Sequence, residues 1–313
     1  MLYIYIMRLF TFLLIIVGNS LLAVDYAPFK ANISNEIDIS DLDHKELKLL
    51  LEDSLKELST SISLHEKKSF KHLKPYIRTE YMPFKKWGDE NKNSIKTRSE
   101  VLMRDLRPKT KFSSIRKFLN FEDPWFESRR KKNPRYKANK TKVVDIKKSK
   151  RKKYYWLDSF TNEKFYSADK VDIDHVVPLK NAHIFGGSKW PSKIKYSYAN
   201  YMDNNHHLLV VELGENRSKN DKGPSIIDEN NYLPPNKGYH CNYVRIWAQI
   251  KYEWQLSLSF NEHDKVIEIL NQKKCLSSLK TLLKSLQKEP ILKRSKNYRQ
   301  WILKRKSKNS YYK

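Results

Sequence analysis

A strand that stops abruptly and is answered by a second strand governs the middle of this chain. In KVDIDHVVPLKNAHIFGGSKW, which begins at Lys170, the β-formers Val171, Ile173, Val176 and Val177 run into Pro178, which ends the strand. Asp174 and His175 therefore lie at a strand end. Further on, HHLLVVELGENRSKNDKGP supplies a second short strand over 208–212, and 216–222 reads as a short helix that Gly223-Pro224 terminates. The order is strand, long loop, strand, short helix: a hairpin followed by one helix. An ideal strand points neighbouring side chains to opposite faces, so joint action by Asp174 and His175 requires the chain to turn there, and the following proline supplies the turn.

The flanking sequence is helical and basic. Over 41–60, DLDHKELKLLLEDSLKELST places Leu42, Leu47, Leu49, Leu50, Leu51, Leu55 and Leu58 on a broad helical face with acids early in the run, an amphipathic helix suited to packing or partner contact. Residues 99–106 read as helical, with cap candidates at 94–97. Residues 129–153 are dominated by Lys and Arg, with Asp145 as their acid, and bury little apolar area. They read as an exposed segment, either a solvated linker or an arm that tracks phosphates. Residues 264–287 form a helix-like run that Pro290 interrupts, and 293–313 is again basic and loosely held. The expected fold class is α+β, a small hairpin unit embedded in helices.

The N-terminus reads as an export signal over 1–23. Arg8 precedes an apolar run over 9–23 that is broken by Thr11, Gly18, Asn19 and Ser20, and Ala23 stands before Val24 and Asp25. Leu21 departs from the small residue preferred three places before a cut. An uncleaved membrane anchor is the alternative, although roughly 20 apolar residues are needed to span a bilayer and polar residues sit inside this run. Export makes the chain secreted or periplasmic and lets Cys241 and Cys275 oxidise, either into one disulfide or not at all, as two structural thiols.

With 62 Lys and Arg against 35 Asp and Glu, the chain carries a net charge of +27, a field that favours nucleic acid or an anionic membrane. It contains neither GxxxxGK[ST] nor GxGxxG, and seven glycines leave little room for phosphate-cradling loops. Two cysteines exclude a four-cysteine zinc knuckle.

Phosphodiester cleavage needs a base for water, charge neutralisation at phosphorus and help for the leaving oxygen. His175 is suited to take the proton. Asp174 and Asn216 offer hard oxygen ligands that suit Mg²⁺. Lys219, at i+3 from Asn216, shares its helix face and is placed to hold a phosphate. Taken singly, each has a bland reading: an Asp-His pair as a hydrogen-bonded structural feature, an Asn as a helix cap. The combination in this element order is what points to chemistry.

The stretches DIDHVVPLKNAH, GGSKW, YANYMDNNHHLLVVELGENRSKNDKGP and YLPPNKGYHCNYVRIWAQIKYEWQLSL, with the upstream KKWGDENKNSIKTRSEVL, resemble the secreted HNH endonucleases with the DUF1524 (GmrSD C-terminal) domain. Members of that family carry similar DHxVPL, NLLxV, LNRSKGxKGP and WxxI patterns. The likeness covers about 81–259. It implies a ββα-metal core within a nuclease domain over 81–260 that carries the basic insertion at 129–153. An N-terminal helical extension (24–80) and a basic C-terminal extension (261–313) flank that domain. It further implies His175 as general base, Asp174 and Asn216 as metal ligands and Lys219 as a phosphate contact. The cofactor would be Mg²⁺, with Mn²⁺ or Zn²⁺ as alternatives, and the reaction would cut DNA to leave a 5′-phosphate and a 3′-hydroxyl. Arg98, Arg217 and Lys219 are the nucleic-acid contacts expected on this basis.

Three departures bear on that expectation. His207 stands where the family has the Asn that braces the loop of the general base, so His207 braces in its place, joins the metal shell or signals altered activity. The cysteine expected around the KWGD block is absent, so Cys241 pairs with Cys275 or stays free. Glu215 precedes Asn216 where Leu is common.

His183, His206, His240 and His263 read as surface or packing residues, with a substrate-facing role open for His183 and Trp190 beside Gly186-Gly187. Arg98 reads equally as a substrate contact or an internal salt bridge. Trp247, Tyr252 and Trp254 fall at helical spacing and read as core. The sequon Asn216-Arg217-Ser218 overlaps the candidate site, so a glycan there would block it. The expected function is an exported, metal-dependent, largely sequence-nonspecific DNA endonuclease. The rivals are a ribonuclease or dual nuclease, a noncatalytic cationic binder, and a toxin with a separate immunity protein.

Overall fold

The computed structural model describes residues 33–59 (without 36), 74–108 (without 92–94), 154–295 (without 227, 228 and 230) and 299–300. The export signal, the basic segment 129–153 and most of the basic tail lie outside the described residues.

The chain is α+β, as its patterning predicts. Helix α1 (His44–Ser59) is followed by the single turn α2 (Arg78–Tyr81), α3 (Thr97–Asp105), and three short strands, β1 (Leu106–Arg107), β2 (Tyr155–Leu157) and β3 (Lys164–Phe165). These strands form an antiparallel sheet in that order. The hairpin follows: β4 (Val171–His175), helices α4 (Leu179–Ile184) and α5 (Ser192–Ala199), then β5 (Leu208–Glu212) and α6 (Leu213–Lys219). The chain continues through α7 (His240–Glu253), α8 (Phe260–Leu270), α9 (Leu276–Leu286) and the short α10 (Ile291–Arg294).

β4 and β5 pair antiparallel from Val171 opposite Glu212 to His175 opposite Leu208. Alternation along them divides two cores. Val171, Ile173, Leu208 and Val210 bury against Val101, Leu102, Leu106 and Trp156 on one face. Val211 joins the larger helical core on the other, which α1 reaches through Leu47, Leu51 and Leu55 and α9 through Leu279, Leu282 and Leu283. Helix α1 thus packs on α8 and α9, and these two pack on α7. The expected boundary between 80 and 81 falls inside α2.

Several element bounds differ from expectation. The connection after Pro178 carries α4 and α5 instead of running as a loop. Helix α6 begins at Leu213, three places before Asn216, because the Glu212 side chain caps it by accepting from the Glu215 amide. The run 264–287 is two helices, since a tight turn at Lys273–Cys275 separates α8 from α9. At this turn Cys275 is bonded to Cys241 of α7. Gly223 is obligatory, because a Cβ there would lie 2.3 Å from the Trp247 ring. Among the described residues, no helix is long and apolar enough to cross a membrane.

Candidate active site

β4, α6 and the end of α5 bring the chemistry together at a cavity of about 190 Å³, whose walls include Asp174, His175, Asn216, Arg78, Lys180 and Asp221. Asp172 and Asp174 are two apart on β4 and so share the face that α6 covers. Asn216 and Lys219 come off α6 at i and i+3 to meet them: Asn216 Nδ2 donates to Asp172 Oδ2 at 3.3 Å, and Lys219 Nζ donates to Asp174 Oδ1 at 2.8 Å.

His175, the last residue of β4, is 7% exposed and its Nε2 lies 2.9 Å from the carbonyl oxygen of Ala199 at the end of α5. A carbonyl only accepts, so Nε2 carries the proton and the lone pair is left on Nδ1. Burial pushes the imidazolium down to about 3, so the ring is neutral at ordinary pH. The Trp87 indole stacks on it, with centroids 5.1 Å apart and planes 10° from parallel. Trp87 comes from the KWGD stretch, and this contact explains how that distant segment belongs to the site.

His207 binds the neighbouring carbonyl. Its Nε2 lies 2.8 Å from Tyr198 O, the ring is 1% exposed, and burial holds its pKa well below the ordinary imidazole value. It does not line the cavity. His207 and His175 thus hold adjacent carbonyls of the same helix end.

Two expected nucleic-acid contacts are placed differently. Lys219 is fully buried between Asp174 Oδ1 and the His175 carbonyl, at 2.8 and 2.9 Å, so its ammonium compensates a buried carboxylate and is not offered to a phosphate. Burial pushes its pKa down and that of Asp174 up to about 6, while their mutual attraction opposes both. Arg98 turns inward as well. It makes a 3.0 Å ion pair with Asp172 and reaches the carbonyls of Ala168 and Val171, both at 3.3 Å. Of its two readings the internal salt bridge is the one observed. Arg217 is exposed on α6.

The donor set suits a hard divalent ion. Asp174 Oδ2 is buried with no hydrogen-bond partner, and Asn216, its amide nitrogen turned to Asp172, has Oδ1 as its acceptor. Two oxygens fit Mg²⁺, which keeps several waters and takes few protein ligands. Among the described residues no three His, Cys, Asp or Glu side chains converge as a richer cage.

The four histidines read from the sequence as surface or packing residues each lie beside a protein group. His183 is 1% exposed and bonds Tyr81 Oη and the Lys74 carbonyl, while His240 bonds the Pro234 carbonyl. His206 lies 3.5 Å from Glu253 and His263 2.9 Å from Asp264. Trp190, Trp247, Tyr252 and Trp254 are buried in the helical core, so Trp190 has no substrate-facing surface to offer. Sequence reasoning passed over Asp172, whose position two before Asp174 was the available signal, and Arg78, for which no local pattern exists.

No family model matches the chain. No solved structure matches it. It is 34% identical over 116 residues to a protein of Arthroderma benhamiae named "Uncharacterized secreted protein", an alignment covering 37% of this chain and 54% of that one. The chain thus spans about half the length of that relative.

Proposed function

We propose that this chain is an exported, metal-dependent DNA endonuclease of the ββα-metal type. The observation that carries the reading is the meeting, on one small cavity, of a neutral imidazole whose Nε2 is committed to a carbonyl and a buried carboxylate oxygen with no partner. Asp174 and Asn216 would hold the ion, which supplies charge neutralisation at the phosphate and at the departing 3′-oxygen. His175 takes the proton of the attacking water on Nδ1. A pKa of about 3 makes the imidazole a weak base, and the negative charge of a bound phosphate favours the imidazolium and strengthens it. Ala199 and Trp87 fix the ring's orientation.

Low sequence specificity follows from a +27 chain that holds DNA through its phosphates, since such contacts position a duplex without reading bases. Export is supported by the apolar N-terminal run and by the name of the Arthroderma benhamiae relative.

Plasmid nicking tests the reading. Activity in Mg²⁺ should vanish in chelator and in His175→Ala, and parallel digests of RNA and a Mn²⁺ and Zn²⁺ series define substrate and ion. Full activity in His175→Ala would remove the mechanism. Salt-sensitive DNA binding with no cleavage under any ion would leave a cationic binding protein.

A further inference from the structure

Resting on the nuclease reading, we propose that Arg78 is the side chain that grips the scissile phosphate. With Lys219 sealed against Asp174, the cations that the described residues bring to the cavity wall are Arg78 and Lys180. Lys180 is ion-paired to Asp221 on the same wall. Among the described residues Arg78 pairs with no carboxylate; its side-chain partners are neutral, the Tyr76 hydroxyl and Met82 Sδ at 3.6 Å, a weak thioether acceptor. An exposed arginine is ordinarily just solvated. Arg78 differs in sharing a wall with Asp174, His175 and Asn216.

Its mount is rigid. Tyr81 and Met82, which follow it, are buried, and Tyr81 Oη lies 3.2 Å from His183 Nδ1. Glu80 is ion-paired to Lys195, itself almost wholly buried. The turn α2 is thus pinned to α4 and α5 by the residues beside Arg78, which fixes the backbone from which Arg78 reaches the cavity. A planar fork of N–H donors matches two phosphate oxygens at once, and an ammonium does not.

The test compares the full chain with Arg78→Ala and Arg78→Lys. Cleavage of a duplex oligonucleotide in Mg²⁺ reads kcat/KM, and DNA affinity in chelator across a salt series reads phosphate contacts independently of turnover. Arg78→Ala should lose about 100-fold in kcat/KM, the scale for removing one preorganised donor. It should also lower the slope of log affinity against log salt by about 0.9, the loss of one neutralised phosphate. Arg78→Lys should keep the slope and still turn over several-fold more slowly, because charge is retained and the fork is lost. If the wild type cleaves and Arg78→Ala matches it in both readouts, the proposal falls and the nuclease reading stands. If the wild type cleaves neither DNA nor RNA in Mg²⁺, Mn²⁺ or Zn²⁺, both fall together.

Discussion

His175 and His207 hold adjacent carbonyls of one helix end: Nε2 of the first lies 2.9 Å from Ala199 O, and Nε2 of the second lies 2.8 Å from Tyr198 O. Whatever fixes Tyr198 therefore fixes the group that orients His175. His207→Ala should lower kcat by about 10-fold to 100-fold with little change in KM, the range for losing a residue that orients a site from behind. His207→Asn should recover part of the loss, since a carboxamide N–H can donate to the same carbonyl. Saturation kinetics on plasmid or oligonucleotide separate these outcomes, and an unchanged kcat in His207→Ala would show that the helix end needs no brace.

Lys219 is a stability residue in this arrangement. Lys219→Met leaves Asp174 buried without its cation and should cost about 3–5 kcal/mol in urea unfolding. Adding Asp174→Asn removes the uncompensated charge and should restore much of that loss. A Lys219→Met protein with wild-type stability and weakened DNA affinity would return Lys219 to the phosphate.

Arg98 makes an internal clamp, so Arg98→Ala should destabilise the fold by about 1–3 kcal/mol through lost charge-assisted hydrogen bonds to Asp172 and the carbonyls of Ala168 and Val171. The salt dependence of DNA binding should be unaltered, because no phosphate contact is removed. A shallower salt slope in this variant would place the guanidinium on the nucleic acid.

Gly223 faces the Trp247 ring at a distance that admits no side chain. Gly223→Ala should cost about 1–3 kcal/mol by overpacking, visible as a lower thermal midpoint and a changed near-ultraviolet signal from the displaced indole. An unchanged midpoint would mean the loop after α6 yields freely.

The hairpin was legible because alternating β-formers and Pro178 are local signals: β5 begins and ends where the pattern puts it, and β4 carries Asp174 and His175 at its end. The start of α6 was misplaced by three residues because its cap is the last residue of the strand, and Glu212 reads as a strand residue until the chain is folded. The Arg98 ambiguity and the Lys219 assignment share a different cause. Spacing tells which helix face a cation occupies, but whether that face meets water or a carboxylate depends on how α3 and α6 pack onto β4. Trp87 and Arg78 were beyond local reading for the same reason, since each meets His175 or its cavity across a gap in sequence that no periodicity spans.

The stacking of Trp87 on His175 limits how this site can be borrowed. A fragment cut to residues 154–224 would retain the whole signature from Asp174 to Lys219 yet leave one face of the imidazole open to bulk water, and it would have no guanidinium at the rim. Transplanting the signature into another scaffold would therefore carry its spelling and leave its workings behind.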